Sequence, residues 1–169
     1  MTINFKNHFF WLAAFVSLIL DRVTKYWLVQ NFVYKETWAL WPNVFHFTYE
    51  LNPGAAFSWF QGGVWLPWLS LGVSLFLIGF ALVNPHLDRW EQLGCGFILG
   101  GAVGNGIDRF FNSCVINDKF FNGCVVDFLD FRLIHFAVFN LADMFINVGM
   151  VCLLIAWFWN PSTSSRRPR

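Results

Sequence analysis

Charge is what this sequence has least of. Only 12% of its 169 residues are Asp, Glu, Lys or Arg, while 57% are hydrophobic and 21% aromatic. A soluble globular domain carries roughly 25% charged residues. There is too little polar surface here to cover a water-soluble globule, so lipid has to be part of the solvent. The net charge is only +1 and the one basic cluster is Arg166, Arg167 and Arg169. With no basic-aromatic segment either, nothing points to nucleic acid. Several catalytic signatures are also missing. No H-E-x-x-H occurs, which argues against a zinc peptidase, and there is no G-x-S-x-G or S-x-x-K. The glycines Gly100, Gly101, Gly104 and Gly106 follow an apolar run rather than a strand, so they do not make a dinucleotide loop. The first apolar run, Phe9 to Leu20, is followed by Asp21-Arg22-Val23 and not by a small-x-small cleavage site. It reads as a retained span rather than a removed signal peptide.

Long uncharged runs are what the chain does have. They place four spans at about 9–30, 63–83, 93–111 and 142–159. The expected fold is an all-α membrane protein, four transmembrane helices with a small extracytoplasmic β-element. Residues 1–160 form one domain, and residues 161–169 a disordered basic tail. The β-element falls in the connection 31–63, where Trp38, Trp41, Phe45, Phe47 and Tyr49 fit a hairpin in an interfacial aromatic belt. Gly96, Gly100 and Gly104 repeat G-x-x-x-G in the third span, a strip that lets helices approach closely. Lys6 and the three tail arginines predict both termini on the cytoplasmic side.

With that orientation the polar groups converge on the outer face. Asp21 and Lys25 lie toward the outer end of the first span, four residues apart and able to pair. Asn105, Asp108 and Arg109 end the third span, Asn140 and Asp143 begin the fourth, and Asn52 and Asp127 lie in the outer connections. Acids in apolar company are costly. Two carboxylates held close cannot both ionise easily, so they share a proton. The ionised member can then take a proton from water while the protonated one polarises a carbonyl, the logic of aspartic peptidases. Asp143, at a helix start, sits where the helix dipole favours its charge. Asp130 reads as a solvated or capping residue. Two other classes compete. A proton-coupled transporter would need acids near mid-bilayer, and a scaffold using the glycine strip would tolerate loss of both aspartates. Cys114 and Cys124 share the outer connection, as a bridge or as two free thiols; Cys95 and Cys152 read as small packing residues in spans.

Five blocks of the chain, in order, resemble the lipoprotein signal peptidase family, the signal peptidase II type of bacterial aspartic peptidase. They are Asp21-Arg22-Val23-Thr24-Lys25, Asn52-Pro53-Gly54-Ala55-Ala56-Phe57-Ser58, the stretch Gly100 to Arg109, Val125-Val126-Asp127-Phe128, and Phe139-Asn140-Leu141-Ala142-Asp143. The resemblance implies an enzyme of the bacterial cytoplasmic (inner) membrane that removes signal peptides from prolipoproteins, cutting just before a lipobox cysteine that carries diacylglycerol. It implies Asp127 and Asp143 as the catalytic pair. It further implies that Asn52, Gly54, Asn105, Arg109 and Asn140 contact substrate or a globomycin-type inhibitor, with Asp21 and Lys25 as a supporting pair. No cofactor or metal is implied. Partners are prolipoproteins and membrane lipids, and a monomer suffices because all five blocks lie in one chain. The chain departs from the family pattern in two places. Arg22 stands where glutamine is usual, and the segment Phe110 to Val126 is longer than usual, a lid or a decorated turn.

Overall fold

A computed structural model describes residues 7–54 and 64–159. Four helices form its body: α1 (His8–Asn31), α2 (Leu66–Val83), α3 (Arg89–Phe111) and α4 (Leu141–Trp159). Their ends follow from local chemistry. Pro67 starts α2, where its missing N–H costs nothing. Asp88 and Glu91 satisfy each other's backbone N–H groups in a capping box that begins α3. The Asn7 amide, just before α1, donates to the carbonyls of Ala81 and Asn84, both at 2.8 Å, and so ties α1 to the end of α2.

Helix α3 lies at the centre, against α1, α2 and α4. Its glycines set those distances. A Cβ on Gly104 would lie 2.5 Å from Asp21 Oδ2, and one on Gly101 would lie 2.5 Å from the Ala142 carbonyl oxygen. Only glycine at these two positions lets Asp21 and the first turn of α4 close on α3.

The expected all-α architecture is wrong. Among the described residues, five strands form two antiparallel sheets. The first has the order β1 (Thr37–Trp41), β2 (Phe45–Asn52), β5 (Val125–Asp130); the second is the hairpin β3 (Ser113–Ile116) and β4 (Lys119–Asn122). The four-span expectation is also overturned. Among the described residues, only α2 and α4 are long and apolar enough to cross a membrane. Helices α1 and α3 are as long, but α1 carries Asp21, Arg22 and Lys25, and α3 carries Arg89, Glu91, Asp108 and Arg109 besides its glycines. These residues lower the apolar character of both helices, because they serve contacts inside the protein.

Strand β5, VVDFLD, is buried at every position. In the sequence it falls within the long connection before the fourth span. Its register pairs Asp127 with Glu50 and Asn52 with Val125. One face of this sheet rests on the end of α1, where Leu28 and Phe32 meet Val126, Phe128 and Leu129, with Phe45, Phe47 and Tyr49 around them. Burying a side chain of this size away from water stabilises by roughly 1.5–3 kcal/mol, so the sheet is fixed to the helices rather than hung from loops. Ala55, Ala56, Phe57 and Ser58 of the second sequence block lie outside the described residues, as do Lys6 and the basic tail.

Candidate active site

The site is assembled where β5, the end of β2, α3 and the start of α4 meet. Asn140 precedes α4 and caps it. Its Oδ1 accepts the Asp143 backbone N–H at 3.0 Å, and Asp143 Oδ2 accepts the Asn140 backbone N–H at 3.3 Å. The N-L-A-D run is therefore a capping box with aspartate at the third helical position. Because Asn140 Oδ1 must face that N–H, its amide nitrogen points the other way. It donates to Asp127 Oδ1 at 2.6 Å and to Asn105 Oδ1 at 3.1 Å. One asparagine thus touches both aspartates.

Asp127 is 2% exposed. Its other oxygen accepts from Asn52 Nδ2 at 3.1 Å, and Asn52 Oδ1 in turn accepts the Gly54 N–H at 3.0 Å. That last bond is an Asx turn, which the Asn-Pro-Gly run favours. Burial, and next the negative charge of Asp143, push the Asp127 carboxyl up to about 8, against the opposing effect of the two asparagine hydrogen bonds. Asp143 accepts a further hydrogen bond from Asn105 Nδ2 at 2.8 Å. Arg109 donates to the Gly54 carbonyl at 3.0 Å, with its charge in the field of both Asp143 and Asp127.

Behind this layer lies a buried ionic cluster. Lys25 Nζ is 3.0 Å from Asp21 Oδ2 and 2.8 Å from Asp108 Oδ2, and it donates to Asn105 Oδ1 at 2.9 Å. Asp21 Oδ1 accepts the Ala142 N–H at 3.1 Å, another free donor of the first turn of α4. Arg22 pairs with Asp108 through its Nη1. Two acids and two bases balance here. In the outer layer Asp127 and Asp143 face one cation, Arg109, so that group balances when the two aspartates hold one proton between them.

The residues singled out from sequence thus divide into two layers. Asp127, Asp143, Asn52, Asn105 and Arg109 line one cleft, Asn140 and the Gly54 carbonyl bond to them from outside its lining, and Asp21 and Lys25 sit behind it. Sequence reasoning missed that Asp108 and Arg22 complete the inner cluster. The signal was an imbalance: Lys25 alone cannot neutralise two buried acids. Asp130 is a correction. It is buried rather than solvated, accepting from Thr48 Oγ1 at 2.7 Å and from Arg132 Nε at 2.9 Å. The long segment before Asp127 folds as the hairpin β3–β4, with Cys114 bridged to Cys124 at a Cα–Cα distance of 6.0 Å. Cys95 and Cys152 are free and buried.

The cleft has a volume of about 660 Å³. Its polar side holds Asp127, Asp143, Asn52, Asn105 and Arg109, with Glu50 and Asn147 also in the lining; its other side includes Phe136, Ala137, Val138, Phe139 and Ile146. That apolar wall had not been read from the sequence. The arrangement can bind an extended chain with an apolar flank and present it to Asp127 and Asp143 and to the amides of Asn52 and Asn105.

Residues 13–159 match the family model described as signal peptidase (SPase) II. The chain is 60% identical over 167 residues to a protein of Nostoc sp. named lipoprotein signal peptidase, covering 98% of this chain and 99% of that one. It is 61% identical over 155 residues to the lipoprotein signal peptidase of Microcystis aeruginosa, covering 90% and 94%. A solved structure titled as a bacterial membrane enzyme superposes with a TM-score of 0.77 at 25% identity, covering 94% of this chain and 92% of that chain. A second with the same description gives a TM-score of 0.72 at 26% identity, over 86% and 90%.

Proposed function

Because this chain belongs to the signal peptidase (SPase) II family, and is thereby a membrane aspartic endopeptidase that processes prolipoprotein signal peptides, we propose that Asp127 and Asp143 are its catalytic pair. The observation that carries this reading is the Asn140 bridge, one side chain bonded to Asp127 and to the backbone of Asp143. It holds two carboxylates at a fixed relation in a buried site, with one arginine to balance them.

At rest the pair holds one proton. Asp127 is its main seat, being the more deeply buried of the two. Asp143 is the ionised member, supported by the dipole at the start of α4, by Arg109 and by the Asn105 amide. The two titrate as a unit. With the scissile carbonyl oxygen near Asp127, its proton polarises the C=O bond. Asp143 takes a proton from a water, whose oxygen adds to the carbonyl carbon. The C–N bond then breaks. The acquired proton passes to the departing amine, leaving a carboxyl end on the signal peptide and a free amine on the mature protein. No metal or nucleotide takes part in this sequence. Asn52, Asn105, Asn140 and Arg109 orient substrate and carboxylates, and Asp21 and Lys25 hold the start of α4 and Asn105 in place.

The substrate is a prolipoprotein whose lipobox cysteine already carries diacylglycerol, cut just before that cysteine. The apolar wall Phe136 to Phe139 accepts the flanking residues of the signal peptide. Globomycin-type inhibitors occupy the same cleft. The enzyme sits in the cytoplasmic (inner) membrane with its site at the outer face and its termini inside, the orientation that the basic tail favours, and it works among membrane lipids as a monomer. The test is to give purified protein a lipidated precursor and its unlipidated counterpart and to weigh the products. Cleavage before the cysteine, at least about tenfold faster with the lipid, is the expected result. Equal rates on both, or a cut elsewhere, would contradict the proposal.

A further inference from the structure

The segment between α3 and β5 is not absorbed by the catalytic reading. Strands β3 and β4 are joined through Asn117 and Asp118, with φ of 50° and 60°. Both residue types tolerate the left-handed region that a tight two-residue hairpin turn requires. The register sets Val115 opposite Phe120 and Cys114 opposite Phe121. Alternation therefore gives Val115 and Phe120 one face and Cys114 and Phe121 the other. The inner face is fixed: Cys114 is buried and bridged to Cys124, and the Gly123 N–H donates to the Asn112 carbonyl at 2.9 Å. The outer face is bare. Val115 is 61% exposed and Phe120 64%, beside Phe111 at 82%.

Where this face lies relative to lipid follows from α2. Its 18 residues rise about 27 Å at 1.5 Å per residue, no more than the hydrocarbon core of roughly 30 Å. A helix that just spans has no slack, so its first turn sits at the boundary of the core. Trp68 in that turn meets Phe110 with ring centroids 5.6 Å apart. The end of α3 is therefore at the same depth, and the hairpin begins two residues later, in the headgroup layer. Helix α2 carries exposed apolar surface of its own at Trp68 and Phe76.

We infer that the hairpin β3–β4 is an interfacial anchor, with Phe111, Val115 and Phe120 seated at the boundary of headgroups and acyl chains. An exposed apolar patch at this depth matches the boundary layer between headgroups and acyl chains. The anchor has a mechanical consequence. Cys124 is the residue before β5 and Asp127 the third residue of that strand, so the bridge transmits the depth of the hairpin to Asp127. The membrane surface becomes the reference against which the site is levelled. This inference rests on the membrane character of the family and not on the role of the aspartates.

The test puts a benzophenone side chain in place of Phe120 of the full-length protein, in liposomes of phosphatidylethanolamine and phosphatidylglycerol, with the same probe in place of Phe76 of α2 as reference. Illumination is expected to give a phospholipid adduct, read by mass, at both positions. A lipid adduct at position 76 with none at 120, or capture of a second copy of the chain at 120, would overturn the inference. The paired substitution Val115→Asp with Phe120→Asp supplies a second readout. Cleavage of a lipidated precursor is expected to fall about tenfold in liposomes and to stay within about twofold of the parent in detergent micelles. An equal fall in both media would make the hairpin merely structural. A parent that captures lipid but does not cleave would count against the catalytic proposal while leaving the anchor intact.

Discussion

Asp127→Asn and Asp143→Asn each lower the cleavage rate of a lipidated precursor by about 10³-fold or more, measured per folded molecule. Asparagine keeps the size and polarity of aspartate but cannot act as a carboxylate base or share a proton. At position 143 its oxygen can still accept the Asn105 amide or the Asn140 N–H, so the start of α4 survives. At position 127 its oxygen can accept from Asn140 or Asn52 but not from both. Both variants are therefore expected to fold, with helical circular dichroism unchanged, and to fail at the chemistry. The two losses are not additive, because the residues act as a unit. The double variant is expected to be about as slow as either single one. A single variant that keeps near-parental rate would remove that residue from the pair, leaving Asp130 and Asp108 as the other acids to examine.

The second large effect is on stability. Lys25→Met removes the cation lying between Asp21 and Asp108 and leaves two fully buried carboxylates with only Arg22 nearby. Breaking a buried ionic group by deleting one partner costs about 3–5 kcal/mol. Thermal unfolding in detergent is expected to show a large fall in midpoint, with aggregation on expression as its extreme form. Asp21 also holds the Ala142 N–H, so the loss reaches the first turn of α4 and with it Asp143. Arg22→Gln tests the same cluster more gently. Its side chain is 34% exposed, so solvent screens the pair and the expected effect is well below that of Lys25→Met. Equal effects of the two substitutions would mean that Lys25 is not the centre of the cluster.

The polar half of the site was legible because its chemistry is local. Asn140 and Asp143 lie three apart at the mouth of an apolar run, which is both an acid that needs a reason and a capping box. Asn52-Pro53-Gly54 announces its turn in the same way. Asp21 and Lys25 are four apart on one helix. What the sequence did not yield depends on partners distant in the chain. Asp127 lies on a strand whose every position is buried, so V-V-D-F-L-D has no alternation to read and passes for part of a connection. Arg22 meets Asp108 across 86 residues, and no spacing rule connects them. Asp130 finds Thr48 across the sheet, and its neighbour Arg132 alone did not reveal that it is buried. The hairpin β3–β4 has a local signal, since Asn117-Asp118 between two short apolar runs is a turn signal, but that signal alone does not distinguish a lid from a decorated turn. The spanning helices were overcounted for a related reason. Glycine strips and pairable charges in α1 and α3 serve contacts within the protein, and the apolar runs around them look like spans in the sequence.

The measurement that bears most directly on a shared proton is the dependence of kcat/KM on pH for the parent enzyme with a lipidated precursor. At low pH both aspartates are protonated and no base is present. At high pH both are ionised and no proton is left to polarise the carbonyl. Burial and the charge of Asp143 raise the Asp127 carboxyl to about 8, so the expected profile is bell-shaped with its alkaline limb near that value. A rate that holds level or keeps rising to about pH 10, more than a unit beyond the alkaline limb, would show that the step needs no protonated carboxyl and would contradict the aspartate-pair mechanism.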